Sequence, residues 1–405
     1  MSYSEWNEYK FEELTINYNT KRIPLSSKKR LEKQGEFNYY GAQGIIDSID
    51  EYIFEGEYLL IAEDGANLET RNQDIARLTK ENEKFWVNNH AHIVKSNKKS
   101  DIRYLKYFLN YSDISGYVTG SAQPKLNKAN LNSIKIILPA LEEQRAISKI
   151  LSDLDEKIEV NNKINKNLEE MAQAIFKQWF VDFEFPNEEG KPYKSSGGEM
   201  VESELGMIPK GWKISSLIDI ADYLNGLAMQ KFKPSEDEKG LKVLKIKELR
   251  QGFTDESSDL CSENIKQEYI INNGDVIFSW SGTLLVDLWG ADKCGLNQHL
   301  FKVTSNKYYK WYYYYWTKFH LNKFISIAKD KATTMGHIKR SNLSESMVFV
   351  PNDSTLKLMN KSMNPIITQV INNKVENRRL EKLRDTLLPK LMSGEIRVPL
   401  ENSEN

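Results

Sequence analysis

Cysteine is scarce in this sequence, and long apolar segments are missing. The two cysteines, Cys261 and Cys294, form no Cys-x-x-Cys pair, which argues against a disulfide framework. No apolar run approaches the roughly 18 residues that a membrane-spanning helix needs. The first 14 residues are acidic and aromatic, whereas a signal peptide would be basic and then apolar. We therefore expect a cytoplasmic protein that has no membrane partner.

An excess of charge of one sign is also lacking. The chain carries 56 basic and 57 acidic residues, which give a formal net charge of −1. This balance does not favour a nucleic-acid partner, because such proteins usually carry an excess of Lys and Arg. Basic clusters do occur in residues 20–33 and 95–103, but their spacing alone is typical of solvated surface.

Several catalytic signatures are absent. The chain has no Pro-Pro, which an adenine amino-methyltransferase needs in its Asn/Asp-Pro-Pro-aromatic loop, and no G-x-G-x-x-G or G-x-x-x-x-G-K-[ST] loop. Asp182, Glu184 and Lys191 loosely resemble the residues of a magnesium nuclease, but the polar Gly/Ser/Pro segment around Lys191 is typical of a linker. We therefore expect a non-catalytic protein that binds no cofactor of its own.

The sequence does contain a long internal repeat. GSAQPKLNKANLNSIKIILP at residues 120–139 matches ATTMGHIKRSNLSESMVFVP at 332–351, 212 positions later. GEYLLIAEDG matches GDVIFSWSG, and Asn88-Asn89-His90 matches Asn297-Gln298-His299, in the same order along the chain. This period is far longer than a solenoid repeat, so the chain contains two copies of a whole domain.

Each copy has a mixed pattern of strands and helices. Alternating runs such as EYLLIA, DVIFSW and SIKIILP predict short strands, whereas DIRYLKYFLN and KWYYYYWTKFHLNKFISIA predict amphipathic helices. The aromatic run at 307–320 could stack nucleic-acid bases. Consecutive helical positions cannot all face one way, however, so we predict core for most of these rings, with Lys307, Lys310 and Lys318 pointing outward.

Two histidines raise the question of a metal site. His90 and His92 are two residues apart, which on a strand would place both on one face. No third ligand of suitable type lies nearby in the sequence, so a structural role is favoured and no metal is expected.

A heptad seam follows each copy of the domain. Apolar residues alternate at steps of three and four from residue 147 to 175 and again from 356 to 387. The middle of each seam is polar and is formed by Asn161 and Asn165, and by Asn373 and Asn377. Because buried Asn pairs fix register and partner, we predict that the two helices pair within the chain. The first helix connects the two domains and the second leaves the second domain, so we predict antiparallel pairing, which returns the C-terminus to the first domain. The alternatives are helices packed on their own domains or a seam that dimerises with another chain. Pro365 should begin or kink the second helix.

Three segments carry a resemblance to a known family. ILPALEEQRAISKILSDLDEKIEVNNKINKNLEEMAQAIFKQWFVDFEF resembles the central conserved region of the specificity subunits of type I restriction-modification systems. LEKLRDTLLPKLMSGEIRV is similar to their distal conserved region, and IPKGWKISSLIDI to the start of their second target-recognition domain. The resemblance spans essentially the whole chain, although NDSTLK replaces the Leu-Glu-Glu-Gln that opens the first conserved region.

The resemblance implies an α+β fold with two tandem α/β target-recognition domains, separated by two long antiparallel coiled-coil helices in a pseudo-two-fold repeat. The corresponding segments are residues 1–139 and 205–351 for the domains, 140–186 and 352–393 for the helices, 187–204 for a linker and 394–405 for a tail. Each domain is expected to read one half of a bipartite site in double-stranded DNA, and the helices to set the gap. The helices would also dock two modification subunits, which carry S-adenosylmethionine, and restriction subunits would complete the complex.

The residues predicted to contact DNA lie on loops at matching positions of the two copies. In the first copy they are Gly41, Gln43, Ser121, Gln123 and Lys125. In the second copy they are Ser279, Trp280, Ser281, Thr283, Thr333, Thr334, His337 and Lys339. Amide, hydroxyl and cationic side chains can bond base edges or phosphates, and turn formation is the alternative role of each position. Since the loops differ, the two half-sites should differ.

Two other functions fit part of the pattern. A coiled-coil scaffold with two domains that do not bind DNA is supported by the neutral charge. A self-contained methyltransferase or nuclease is disfavoured by the missing motifs.

Overall fold

The computed structural model describes residues 5–120, 122–330 and 336–399. The chain divides into two compact units: unit 1 comprises Met1–Glu156 and Glu381–Asn405, and unit 2 comprises Lys157–Leu380. Within the described ranges, no helix combines the length and the apolar character needed to cross a bilayer.

Unit 1 consists of short strands and helices followed by the start of a long helix. Its elements are β1 (Asn7–Lys10), α1 (Phe11–Leu14), β2 (Thr15–Asn17), α2 (Ser27–Glu32), β3 (Gln34–Gly41), β4 (Gly44–Ile49), β5 (Phe54–Glu55), β6 (Leu59–Ala62), α3 (Asn67–Thr70), β7 (Ala76–Leu78), β8 (Lys84–Val87), β9 (Ala91–Ser96), α4 (Ile102–Tyr111), α5 (Lys128–Ser133), β10 (Lys135–Leu138) and the first part of α6 (Leu141–Phe180).

Two four-stranded sheets form the body of unit 1. Their strand orders are β2-β9-β6-β7 and β4-β3-β8-β5, and β3 and β8 are the parallel pair. The central strand β6 has the sequence LLIA and is buried along its whole length, as a continuous apolar run requires. Leu59 of β6 belongs to a cluster of buried apolar side chains that also contains Leu105 of α4. The same cluster includes Ile147 and Leu151 of α6. The domain is therefore packed directly on the long helix.

Unit 2 has a corresponding series of elements. They are β11 (Met200–Ser203), β12 (Gly206–Pro209), β13 (Lys213–Ser216), α7 (Leu217–Ile220), β14 (Asp222–Asn225), β15 (Leu241–Leu244), α8 (Ile246–Gln251), β16 (Leu260–Cys261), β17 (Ile270–Ile271), β18 (Val276–Ser279), β19 (Leu285–Leu288), β20 (Cys294–Leu296), β21 (Leu300–Thr304), α9 (Lys310–Phe319), α10 (Leu321–Asp330), α11 (Arg340–Ser344), β22 (Met347–Val350) and α12 (Asp353–Ser393), of which the part up to Leu380 belongs to this unit.

The sheets of unit 2 repeat those of unit 1. Their orders are β14-β21-β18-β19 and β16-β15-β20-β17, again with one parallel pair, β15 and β20. The two-stranded pair β1 and β10 likewise corresponds to β13 and β22. The predicted duplication of a mixed domain is therefore confirmed strand by strand. Strand β11 lies at the end of the segment 187–204 that the sequence suggested to be a linker, and its hairpin partner β12 follows that segment.

The aromatic run lies in the core of unit 2. Every residue from Trp311 to Trp316 is at most 6% exposed. The rings of α9 pack against α6, where Phe180 lies 5.3 Å from Trp316 between ring centroids. The prediction of core packing is confirmed. Lys307 is exposed as predicted. Lys310 and Lys318 are less exposed than expected: Lys318 binds Glu169 of α6, and Lys310 is half-buried, which lowers its pKa.

The long helices α6 and α12 lie side by side and antiparallel within each unit. In unit 2, Asn161 Nδ2 donates to Asn377 Oδ1 at 2.8 Å, and Asn373 Nδ2 donates to Asn165 Oδ1 at 2.9 Å. In unit 1, Arg384 Nη1 lies 2.8 Å from Asp155 Oδ1. Higher numbers on one helix therefore pair with lower numbers on the other.

The second long helix begins before its proline. Asn352 starts α12, because its Oδ1 accepts the Thr355 N–H at 2.9 Å and so replaces a missing helical acceptor. Pro365 consequently lies inside the helix, which corrects the expectation that it might begin there.

Candidate nucleic-acid interface

Four segments of unit 1 meet at one end of its sheets, and we call them loop cluster 1: residues 41–44, 63–65, 88–90 and 122–125. Backbone hydrogen bonds connect them, from Glu63 N to His90 O at 2.9 Å and from Gly65 N to Pro124 O at 3.0 Å. A Cβ built on Gly65 would lie 3.7 Å from Gln43 Nε2, so the β3-β4 turn reaches the same place. The sheet order brings these distant segments together.

Charged side chains surround the 63–65 segment of loop cluster 1. Asp64 Oδ2 lies 2.6 Å from His90 Nδ1, and Glu63 binds Arg22 at 2.8 Å. Lys125 Nζ is 3.7 Å from the second oxygen of Glu63. The exposed surface of the cluster thus presents an imidazole and a lysine held beside carboxylates.

His92 lies beneath this surface and is fully buried. Its Nδ1 is 2.7 Å from Asn19 Nδ2, and its Nε2 is 2.7 Å from Leu126 O. Burial lowers the pKa of the His92 imidazole. His90 lies in the turn before β9 and not on the strand, so the two imidazoles have different partners. Across the described residues, no group of three or more His, Cys, Asp or Glu side chains is placed to hold a metal ion.

Unit 2 has an equivalent loop cluster 2, formed by residues 225–226, 280–283, 297–299 and 336–339. Trp280 N donates to His299 O at 3.4 Å, and Gly282 N donates to Gly336 O at 2.9 Å. Ile338 N donates to Trp280 O at 3.1 Å, as Leu126 N donates to Glu63 O at 2.8 Å in loop cluster 1. The two clusters therefore share a backbone framework.

The side chains on this framework differ between the clusters. Ser281 Oγ lies 3.0 Å from His299 Nδ1, at the position where Asp64 binds His90. Trp280 replaces Glu63, and its Nε1 donates to Asn225 Oδ1 at 2.9 Å. Loop cluster 2 is therefore aromatic and hydroxylic where loop cluster 1 is charged.

The turn after the third strand is a further difference. In unit 1, β3 and β4 are joined by the two residues Ala42 and Gln43, and Gly44 has φ +114, a conformation that L side chains rarely adopt. In unit 2 the corresponding strand β15 leads into helix α8 instead. Gln43 at the turn therefore has no counterpart in loop cluster 2.

The structure places the predicted DNA-contact residues of unit 1 in different environments. Gln43, Gln123 and Lys125 are exposed, whereas Gly41 is buried at the end of β3. Ser121 lies outside the described residues.

In unit 2 the predicted residues are divided similarly. Those with exposed side chains are Thr283, His337 and Lys339, and Trp280 is half-buried. Ser279 and Ser281 are buried, and the Ser279 hydroxyl donates to Ser281 O at 3.2 Å. Thr333 and Thr334 lie outside the described residues.

Sequence reasoning did not include His90 and His299 among the DNA-contact residues. Both lie in the centre of their clusters and both follow an asparagine by two positions. The repeated Asn-x-His was visible in the sequence, but the side chains that meet each imidazole come from other segments.

Comparison with known proteins agrees with this architecture. The family described as the type I restriction modification DNA specificity domain matches residues 3–170 and 209–385. The type I restriction enzyme MjaIX specificity subunit of Methanocaldococcus jannaschii is 31% identical over 295 residues, which are 71% of this chain and 65% of that protein. The HindI specificity subunit of Haemophilus influenzae is 22% identical over 328 residues, covering 67% of this chain and 71% of that protein.

A solved structure has the same fold. The crystal structure of a type I restriction-modification system S subunit from M. genitalium matches with a TM-score of 0.63 at 13% identity, over 98% of this chain and 97% of that one. The family match covers more than half of the chain in two separate copies, and each copy includes one of the repeated domains and much of the long helix that follows it. This chain therefore belongs to the type I restriction-modification DNA specificity family.

Proposed function

We propose that this chain is the DNA-specificity subunit of a type I restriction-modification complex. Each domain reads one half of an asymmetric bipartite site in double-stranded DNA through its loop cluster. The chain itself is non-catalytic, and S-adenosylmethionine binds to the modification subunits that accompany it. Restriction subunits join the same complex.

One observation carries this proposal: the two loop clusters share a backbone framework and an Asn-x-His sequence, but several of the other side chains on that framework differ. Glu63, Asp64 and Lys125 in loop cluster 1 correspond in position to Trp280, Ser281 and His337 in loop cluster 2. Two similar surfaces with different hydrogen-bonding groups suit the reading of two different base sequences, because base edges are distinguished by donor and acceptor patterns. A scaffold would not need this variation on a constant backbone.

The antiparallel helices provide the spacer and the docking surface in this proposal. The asparagine pairs hold one register in unit 2, and the Asp155–Arg384 pair holds the helices in unit 1. A single register gives a single spacer length, and therefore one gap between half-sites. The outer faces of the helices remain for the two modification subunits.

The test is a genome-wide map of methylated adenines in cells that keep the neighbouring methyltransferase, with and without this gene. We expect deletion to remove one two-part motif with a fixed gap and two different half-sites. Complementation with the intact gene should restore it. An unchanged methylation map, together with a failure of the purified chain to bind the purified methyltransferase, would instead support the scaffold.

A further inference from the structure

His90 and His299 occupy the same position in the two loop clusters. His90 follows β8 and His299 follows β20, the second strand of the parallel pair in each unit. Each is held by an asparagine two residues earlier. Asn88 Oδ1 accepts the His90 N–H at 2.8 Å, and Asn297 Oδ1 accepts the His299 N–H at 3.2 Å. This bond closes a turn through the side chain and fixes the direction in which each imidazole leaves the backbone.

The partner of each imidazole is also at an equivalent position. Asp64 forms an antiparallel backbone β-bridge with Lys125, and Ser281 forms the same kind of β-bridge with His337. Asp64 and Ser281 therefore occupy equivalent positions in the backbone framework. Asp64 Oδ2 lies 2.6 Å from His90 Nδ1, and Ser281 Oγ lies 3.0 Å from His299 Nδ1. The duplication has therefore kept an imidazole and its contact through Nδ1, but has changed the chemistry of the group that makes the contact.

The His90 imidazole is exposed at its outer edge, and His299 is partly exposed. The His90 side chain is 50% exposed, in contrast to His92, which is 0% exposed and bonded through both ring nitrogens. Among the described residues, Nε2 of His90 and Nε2 of His299 make no hydrogen bond. An imidazole that is fixed at one nitrogen and open at the other is a preorganised hydrogen-bonding group.

The group at Nδ1 determines what Nε2 can do. An ionised carboxylate can only accept hydrogen bonds, so Asp64 requires a proton on His90 Nδ1. In the neutral ring this leaves Nε2 as an acceptor. A serine hydroxyl can donate or accept, so Ser281 also permits the tautomer of His299 in which Nε2 carries the proton.

We propose that His90 and His299 are specificity-determining residues at equivalent positions of the two half-sites, and that Asp64 and Ser281 are positioning residues that set the hydrogen-bonding role of each imidazole. The inference rests on the proposed function. When its ring is neutral, His90 accepts through Nε2 from an exocyclic amino group, N6 of adenine or N4 of cytosine. His299 also has access to the opposite role and can donate to O6 or N7 of guanine.

The test measures methylation by the full chain in complex with its modification subunits. The substrates are DNA duplexes that carry each of the four bases at each position of the wild-type motif. For His90→Ala, discrimination should fall about tenfold at one position of one half-site, while the other half-site and the gap stay unchanged. For His299→Ala, the corresponding loss should occur in the other half-site.

The positioning role is tested by exchanging the partners. Asp64→Ser should weaken the preference for an amino-bearing base at the same position that His90→Ala affects, and Ser281→Asp should strengthen such a preference in the other half-site. Lys135→Gln is the matched control, because Lys135 is exposed on β10 outside loop cluster 1. Thermal unfolding and co-purification with the modification subunits establish that each variant is folded.

The outcomes separate this inference from the proposed function. If the wild-type complex reads no bipartite motif, the proposed function fails. If it does, but folded His90→Ala keeps every base preference, the histidine assignment is wrong. Equal weakening on all sequences would mean a phosphate contact and would overturn the assignment as well.

Discussion

At the scale of single residues, a buried neutral histidine supports each unit. In unit 1, His92 joins Asn19 to the backbone carbonyl of Leu126. In unit 2, His320 Nε2 lies 2.9 Å from Met347 O and so connects α9 to β22. Burial lowers the pKa of both imidazoles, because the charged form loses solvation.

This burial predicts that both units lose stability in mild acid. The pKa in the unfolded chain is about 6.5, and the folded value is lower, so the unfolded state binds more protons between the two values. The stabilisation is complete above about pH 6.5 and declines as the pH falls through the folded pKa. Hydrogen exchange of β9 and β21 amides at pH 7.5 and 5.5 would measure this loss in each unit.

Substitution of His92 tests whether this histidine causes the pH dependence in unit 1. His92→Gln keeps a donor for Leu126 O but does not titrate, so it should reduce the pH dependence of protection in unit 1 and leave that of unit 2 unchanged. An equal pH dependence in the variant would mean that other groups are responsible.

At the scale of secondary-structure elements, polar residues in the helix seam specify its register. Asn161 and Asn377 are both buried and bond each other, and Asn377 Nδ2 also donates to Asn162 Oδ1 at 2.8 Å. Asn161→Leu removes one partner and should lower the free energy of unfolding of unit 2 by about 1–3 kcal/mol. Urea denaturation would measure it.

Two further variants complete this comparison. Asn161→Leu with Asn377→Leu together should recover much of the lost stability, because two leucines pack together and leave no buried amide unpaired, Asn162 being exposed. Asn364→Leu is the matched control, an exposed position of α12 where a change within about 0.5 kcal/mol is expected. A double variant less stable than the single one would contradict the seam as described.

The aromatic helix α9 provides a second prediction at this scale. Trp316 is 1% exposed and packs between Phe176, Phe180 and Tyr312, so Trp316→Ala should cost unit 2 about 3–5 kcal/mol. Phe319, on the same helix, is 50% exposed, and Phe319→Ala should cost clearly less. Comparable losses in urea denaturation would mean that the run does not form the core.

At the scale of the whole molecule, the proposed spacer role predicts a change of target. Both long helices cross from one unit to the other, α6 after Glu156 and α12 after Leu380. Seven residues inserted at both points preserve the heptad pattern and add about 10 Å. The methylated motif should keep its half-sites while its gap lengthens by about three base pairs.

An insertion in one helix alone is the control for this experiment. Seven residues added only to α6 leave the helices unequal in length, so the paired segments cannot both keep their register, and methylation should be lost. If the doubly extended chain methylates the original motif with the original gap, the helices do not determine the spacing.

Much of the architecture could be predicted from local patterns in the sequence. The repeat, the two seams with central asparagines and the aromatic core each leave a periodic or duplicated signal that depends only on residue order. The sequence signal for the candidate site is weaker. Gln43, Gln123 and Lys125 were predicted as contacts because they are polar residues on glycine- or proline-containing loops, whereas His90 was predicted to be structural and His299 was not singled out.

The duplicated domains and the antiparallel helices could be predicted from residue order alone. Hydrophobic periodicity and the positions of polar residues in a helix seam are local properties of the sequence. Only the tertiary structure decided which loops meet. The parallel pairing of β3 with β8 and the order of β9, β6 and β7 bring residues 41–44, 63–65, 88–90 and 122–125 together. Long-range strand pairing joins segments far apart in the chain, so no local pattern specifies that Asp64 and Ser281 lie against equivalent histidines.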